Sequence, residues 1–471
     1  MNRFVIVVAT LVASGCAVGP DYVAPDTDAA TAFVSAEQMA TSEPVADWWL
    51  AFDDTALTAL IDAALADSPD LDAARARLDQ ARAVRGIARA AFWPTLAATG
   101  TYTNFEQSLE SPGAFGQLVR AGLAERDGEF YTSTLETAWE IDVFGSVRRR
   151  NESAAASLGV AIADYRAAIL GIVAETAAAY FEFGGAEQRI AALERNIELL
   201  RQTVELTENK QRSGLAGQID VDRARAEFEA ARAGLATLKA ARDASRFRLG
   251  ALTGQRPADI ATTLVANPLP QPLPTLAVGT SADLLTRRPD VQAAERRLAA
   301  ATADVGVATA EFFPRLTLAA NYGFEAVKAS DMGSSDARFT GIVPGLRLPI
   351  FEAGRLRRQR DGAVAGAELA AAAYESTVLT ALSETETALS RYNGALQSSE
   401  SLADAANAAG RAATTARKLY RSGLIDFLDV LAAERRQTEL DDQAAAAQAN
   451  ALRATVDLYR SLGGGWQVAA N

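Results

Sequence analysis

The chain has 471 residues, enough for two domains or one large repeat, and its formal net charge of −13 argues against a nucleic-acid partner. It has no histidine and one cysteine, Cys16, which excludes histidine metal sites, imidazole acid–base catalysis and an internal disulfide. Neither a GxGxxG nor a GxxxxGK(S/T) phosphate loop occurs. The many Asp and Glu lie on Ala- and Arg-rich helical stretches and read as solvated faces.

Met1-Asn2-Arg3 is a short basic start, Phe4 to Val12 is an apolar run, and Ala13-Ser14-Gly15 supplies small residues. That order is a secretory signal peptide over 1–15, too short to span a bilayer, which takes about 20 residues. With Cys16 next, the pattern resembles a bacterial lipobox, although Ala13 stands where such motifs favour Leu. The resemblance implies cleavage before Cys16 and a covalent lipid on it; an ordinary signal peptide with an incidental cysteine is the alternative. Ala17 rather than Asp follows, which by the usual sorting rule points to the outer membrane. No run of 18 apolar residues occurs, so no transmembrane helix is expected, and a membrane crossing would need a closed β-barrel.

After a tail over 16–47, the Pro69-Asp70 and Pro289-Asp290 pairs each open a helix of about 22 residues, because Pro suits the first helical position and a carboxylate complements the dipole. Both helices stop before Pro94 or Pro314. Strands follow. Residues 131–143 alternate, with Leu135, Trp139, Ile141 and Val143 on one face and Glu136, Glu140 and Asp142 on the other. Residues 316–324 alternate too, and 96–104 and 339–350 do so more weakly. Four strands cannot close a membrane barrel, so a barrel here needs several chains. A half-buried strand of a soluble sandwich would alternate in the same way. From 146 to 212 the sequence is Ala-, Glu- and Arg-rich and free of proline, which predicts a helix of roughly 100 Å. Ile190, Leu193, Ile197, Leu200 and Val204 carry coiled-coil spacing. Gly214 breaks the helix, and a return helix covers about 219–252. A soluble coiled-coil rod fits that periodicity equally well.

The chain contains itself twice. The 34 residues from Pro69 align without gaps to those from Pro289 at an offset of 220, and fifteen positions are identical, among them Gly86/Gly306, Pro94/Pro314 and Tyr102/Tyr322. At an offset of 209, Gly145 matches Gly354, Arg148-Arg149 match Arg357-Arg358, and RSGL at 212–215 matches RSGL at 421–424. The repeats run over 48–255 and 281–466, joined by a Pro-rich segment, 256–280, that reads as a semi-rigid connector, with a short tail at 467–471. The four arginines Arg148, Arg149, Arg357 and Arg358 fall where strands give way to helices and suit either lipid headgroups or a solvated face.

RPDVQAAERRLAAATADVGVATAEFFPRLTL, WEIDVFGSVRR, LPIFEAGRLR, WWLAFDD and the closing LGGGW resemble the TolC-like outer-membrane efflux proteins, and the start CAVGPDY resembles the OprM/NodT lipoprotein branch. The resemblance covers nearly the whole chain after residue 15. It implies a mainly α fold with a β-barrel part: a homotrimer sharing a 12-stranded barrel and an α-helical tunnel, served by a periplasmic adaptor and an inner-membrane transporter of the RND class. The implied role is a passive duct without cofactor. The lipid on Cys16 would tie it to the outer-membrane lipid. The implied adaptor-contacting tips are Arg212, Gly214 and Leu215 with Arg421, Gly423 and Leu424. The implied periplasmic aperture involves Leu428, Asp429 and Arg435, with Asp220 and Tyr420 where some members tie neighbouring coils shut. A three-fold ring of Asp429 would crowd like charges and attract cations. Ala432 and Ile425 stand where some members carry a further carboxylate and an arginine. A duct for protein secretion, and a lipid-anchored rod without a channel, are the competing readings.

Overall fold

The computed structural model describes residues 17–25, 33–35, 42, 45–106, 108, 114–265, 267–273 and 276–467. The signal peptide, Cys16, Pro274 and residues 468–471 lie outside the described residues. Ten α-helices and four strands are described: α1 (Thr55–Asp67), α2 (Pro69–Ala90), β1 (Thr95–Glu106), α3 (Ala114–Arg120), β2 (Asp127–Ile141), α4 (Ser146–Arg212), α5 (Gln218–Leu252), α6 (Pro257–Thr263), α7 (Ser281–Arg287), α8 (Pro289–Ala310), β3 (Arg315–Ala326), β4 (Arg338–Arg347), α9 (Arg355–Arg421) and α10 (Phe427–Ser461). The duplication is visible in the lengths: α2 and α8 both have 22 residues, α4 and α9 both 67, and α5 and α10 both 35.

The chain divides into two compact units. The first comprises 1–24, 80–159 and 296–372, and the second comprises 25–79, 160–295 and 373–471. Each draws on both sequence repeats.

The first unit holds an antiparallel meander in the order β1-β2-β3-β4. Its registers repeat as the sequence does. Thr95 faces Ala138 across β1–β2, and Arg315 faces Arg347 across β3–β4, which is the same pair displaced by 220 and 209. The strand expected over 131–143 stops at Ile141, because Asp142 turns to cap α4, accepting the N–H groups of Val147 at 3.0 Å and Arg148 at 2.9 Å. The fourth strand ends at Arg347, ahead of Pro349.

Two of the junction arginines are held rather than free. Arg148 pairs with Asp142 at 3.1 Å. Arg149 has 4% of its side chain exposed and donates to Val18 O at 3.1 Å, to Gly19 O at 3.3 Å and to the carboxylates of Asp21 and Glu152, both at 2.7 Å. It therefore neither reaches headgroups nor faces solvent, but fastens the segment after residue 16. Its counterpart Arg358 is 86% exposed.

The second unit contains the main core. Trp48, in a 3-10 turn over Trp48–Phe52, stacks on Tyr459 with centroids 5.0 Å apart. Leu57, Ile61, Phe181, Leu249 and Leu452 are fully buried around it, each worth about 2 kcal/mol. Asp54 caps α1 and accepts the Tyr180 hydroxyl at 2.6 Å; burial first, then that carboxylate, holds the Tyr180 pKa above the ordinary phenol value. The RPD stretch acts as a clasp, with Arg288 donating to Asp290 at 2.6 Å, Glu384 at 2.7 Å and Ser461 O at 3.1 Å.

Two expectations change. The Pro-rich segment is not a bare connector. It opens as α6, with Pro257 at the helix start, and buries Ile260, Leu276 and Val278 in the main core. One helix, α4, also contains an 18-residue window long and apolar enough to cross a membrane by composition, contrary to the sequence expectation; a third of that window is buried. Alanine raises the average without forming a continuous apolar run, and α4 supplies Ile169, Val173 and Phe181 to the core.

Candidate functional site

The two RSGL turns are built alike. In the first, Gly214 adopts φ +74, and the Leu215 N–H donates to Lys210 O at 2.8 Å. In the second, Gly423 also adopts φ +74, and the Leu424 N–H donates to Leu419 O at 3.0 Å. These bonds run from i+5 back to i and satisfy the last carbonyls of α4 and α9, a closure that needs the left-handed residue glycine supplies. The leucines face outward, Leu215 at 77% and Leu424 at 70% exposure, and each is followed by a second exposed apolar side chain, Ile219 or Leu428. Arg212 and Arg421 are exposed as well, and Arg212 bonds Asn209.

The helices leaving the turns start differently. The Gly217 N–H donates to Asp220 at 3.3 Å, whereas the Asp426 carboxylate accepts the Asp429 N–H at 3.2 Å. Asp429 and Leu428 are therefore exposed residues of the first turn of α10.

Behind the second turn lies a small core of Tyr420, Phe427, Val430, Leu431 and Ala224, with the two rings 5.9 Å apart. Burial, and then the charge of Asp220, push the Tyr420 pKa up. The structure thus brings Asp220 and Tyr420 together within one chain. It does not bring Arg435 to Asp429: Arg435 pairs with Glu227 of α5 at 3.4 Å.

Sequence reasoning missed two features here. Lys210 donates to Tyr420 O at 2.9 Å with its nitrogen 3.5 Å from the Tyr420 ring centre, so it ties the end of α4 to the end of α9. Glu434 is buried and accepts Thr203 Oγ1 at 3.0 Å, with Arg417 Nε at 3.7 Å. Burial raises its pKa, and Thr203 and then Arg417 offset part of that rise. A cavity of about 20 Å³ beside Thr203, Arg417, Tyr420 and Arg421 has room for about one water. The signal for Glu434 was present: it continues the apolar stripe Phe427, Val430, Leu431, where a carboxylate must be paired.

Among the described residues no cluster of three metal-ligating side chains occurs. The arrangement offers two apolar tips on glycine turns beside a polar clasp, which suits docking.

The family model described as outer membrane efflux protein matches residues 60–255 and 280–464, and the chain belongs to that family. The chain is 31% identical over 420 residues to the pyoverdine export outer membrane protein OpmQ of Pseudomonas putida, covering 89% of this chain and 88% of that protein. It is 30% identical over 460 residues to the outer membrane protein OprJ of Pseudomonas aeruginosa, covering 97% of this chain and 94% of that one. The solved outer-membrane channel OprN superposes with a TM-score of 0.88 at 38% identity, over 96% of this chain and 100% of its own. The fold is accordingly TolC-like, the protein is an outer-membrane efflux channel, and its family is one of channels rather than enzymes.

Proposed function

We propose that three copies of this chain form the passive exit duct of a tripartite pump, receiving small molecules from an inner-membrane transporter of the RND class through a periplasmic adaptor. The sheet carries the reading. Its four described strands leave β1 and β4 as edges, and four strands are too few to close a barrel. Three copies supply twelve strands. The exposed Leu215 and Leu424 on their glycine turns support the adaptor contact, and Asp429 with Leu428 is the proposed constriction. OpmQ is named for pyoverdine export, which supports a small-molecule cargo over a secreted protein. A covalent lipid on Cys16 completes the proposal as an anchor in the outer membrane. The duct hydrolyses nothing and uses no cofactor.

The test is accumulation of a fluorescent dye in cells lacking the gene. Faster accumulation, reversed by restored protein but not by protein with Leu215 and Leu424 both changed to Asp, is the expected result. Unchanged accumulation, in cells where no other duct is present, would contradict it.

A further inference from the structure

Three helices of the second unit frame a cavity of about 450 Å³. It lies about 24 Å along α4 from the first turn, at 1.5 Å per residue. α4 lines it with Leu193 and Asn196, α5 with Gly234 and Leu238, and α10 with Thr438 and Asp442. Its size falls within the range of small-molecule pockets, roughly 300–1,000 Å³. Gly234 keeps the space open. It sits inside α5, where glycine lowers stability relative to alanine. A Cβ there would meet Leu193 Cδ2 at 3.7 Å, an ordinary contact, so crowding does not require glycine. What the glycine supplies is room. At the offset of 209 the second repeat has Gln443 in place of Gly234 and Ala405 in place of Asn196, so this pair of residues belongs to the first repeat alone.

The charged groups around the cavity are engaged with one another. Arg189 donates to both carboxylate oxygens of Asp442, at 2.6 and 2.9 Å. Glu439 accepts Arg436 Nη1 at 2.9 Å and Gln443 Nε2 at 3.1 Å. Thr438 Oγ1 donates to Glu434 O at 3.0 Å. Asn196 differs. It is 5% exposed, and its Nδ2 has no hydrogen-bond partner among the described residues. A buried amide N–H left in that state is destabilising, and an acceptor placed in the cavity would relieve it.

We propose that this cavity binds an uncharged, largely apolar small molecule that presents one acceptor, such as a ketone oxygen, to Asn196 Nδ2. Its apolar body packs on Leu193 and Leu238. The molecule is uncharged because the carboxylates and the guanidinium at the rim already satisfy one another. Bound there, it touches α4, α5 and α10 at once. The site is separate from the two turns and does not depend on the duct reading.

The experiment is photolabelling of the purified full-length protein in lipid nanodiscs with benzophenone, two rings about a single ketone oxygen. Under near-ultraviolet light the excited ketone takes a hydrogen atom from an adjacent C–H, and the two carbon radicals join. The probe therefore marks the side chains it touches, and peptide mass spectrometry locates the mark. The expected result is saturable labelling of the peptides that hold Leu193 and Leu238. Asn196→Leu should lower that labelling about fivefold at limiting probe, as the loss of one hydrogen bond does. Gly234→Leu should abolish it. Both variants should unfold at or above the parent's temperature, because one removes an unpartnered buried amide and the other a helical glycine. Labelling of those peptides that is absent, does not saturate, or survives Gly234→Leu overturns the site. Labelling lost in Gly234→Leu but unchanged in Asn196→Leu overturns recognition by the amide.

Discussion

The two helix turns share a backbone and differ in what fills it. Gly214 and Gly423 have the same φ, and each turn closes with the same bond from its leucine. At equivalent positions the first turn has Gln211 and Gln218, whose side chains meet at 3.3 Å in the open, and the second has Tyr420 and Phe427, whose rings meet in a buried cluster. The glycine-leucine pair therefore fixes shape, while the flanking pair decides whether the turn is solvated or welded to its neighbours. The second turn is the welded one, and it is also the one that carries Asp429.

Substitutions that remove or equalise the difference test this reading. Phe427→Ala should cost about 3 kcal/mol, whereas Gln218→Ala at the equivalent exposed position should change stability by less than about 0.5 kcal/mol. Denaturant unfolding of the paired variants checks both; equal effects would remove the distinction. Arg417→Ala leaves Glu434 buried without a cation and should cost about 2–3 kcal/mol, less than for a fully enclosed pair because Arg417 is partly exposed. Hydrogen exchange of the amides over 427–434 should accelerate accordingly. Lys210→Met removes the tie between α4 and α9 and should cost about 1 kcal/mol, with the loss concentrated in the second turn rather than in the helix that carries Lys210.

The pH dependence follows from Glu434. Its folded pKa is raised, so the folded state holds the proton more tightly than the unfolded state does. Local stability is greatest in acid and falls as pH rises from about 4.3 towards the raised value, then levels off. Glu434→Gln should flatten that slope in exchange measurements, and an unchanged slope would assign it to another group. The smallest effect is a gain: Gly217→Asp copies the cap that Asp426 provides and should stabilise the first turn by a few tenths of a kcal/mol.

Much of this was legible in the sequence. The bounds of α4 follow from strong helix formers between Phe144-Gly145 and Gly214, with no proline to interrupt them. Those of α2 and α8 follow from a proline at each end. The turns were marked by RSGL itself. What stayed hidden depends on contacts between residues distant in sequence. Nothing local tells that Arg149 is sealed beneath residues 18–21 while the matching Arg358 is exposed, with Asp361 at 3.8 Å, since both follow the same motif. The α6 turn was masked by prolines, which signal an extended segment but also open helices when they fall at the first position. Lys210 could not be read, because its partner is 210 residues away. Glu434 could have been, as a charge in an apolar stripe.

The proposed duct has its narrow point at Asp429. Single-channel recording of the purified protein in a planar bilayer tests it most directly. The account predicts discrete conductance steps with cation preference, and Asp429→Ala should raise the conductance and weaken that preference. Membranes that stay electrically silent with protein inserted, or steps indifferent to Asp429, would contradict it.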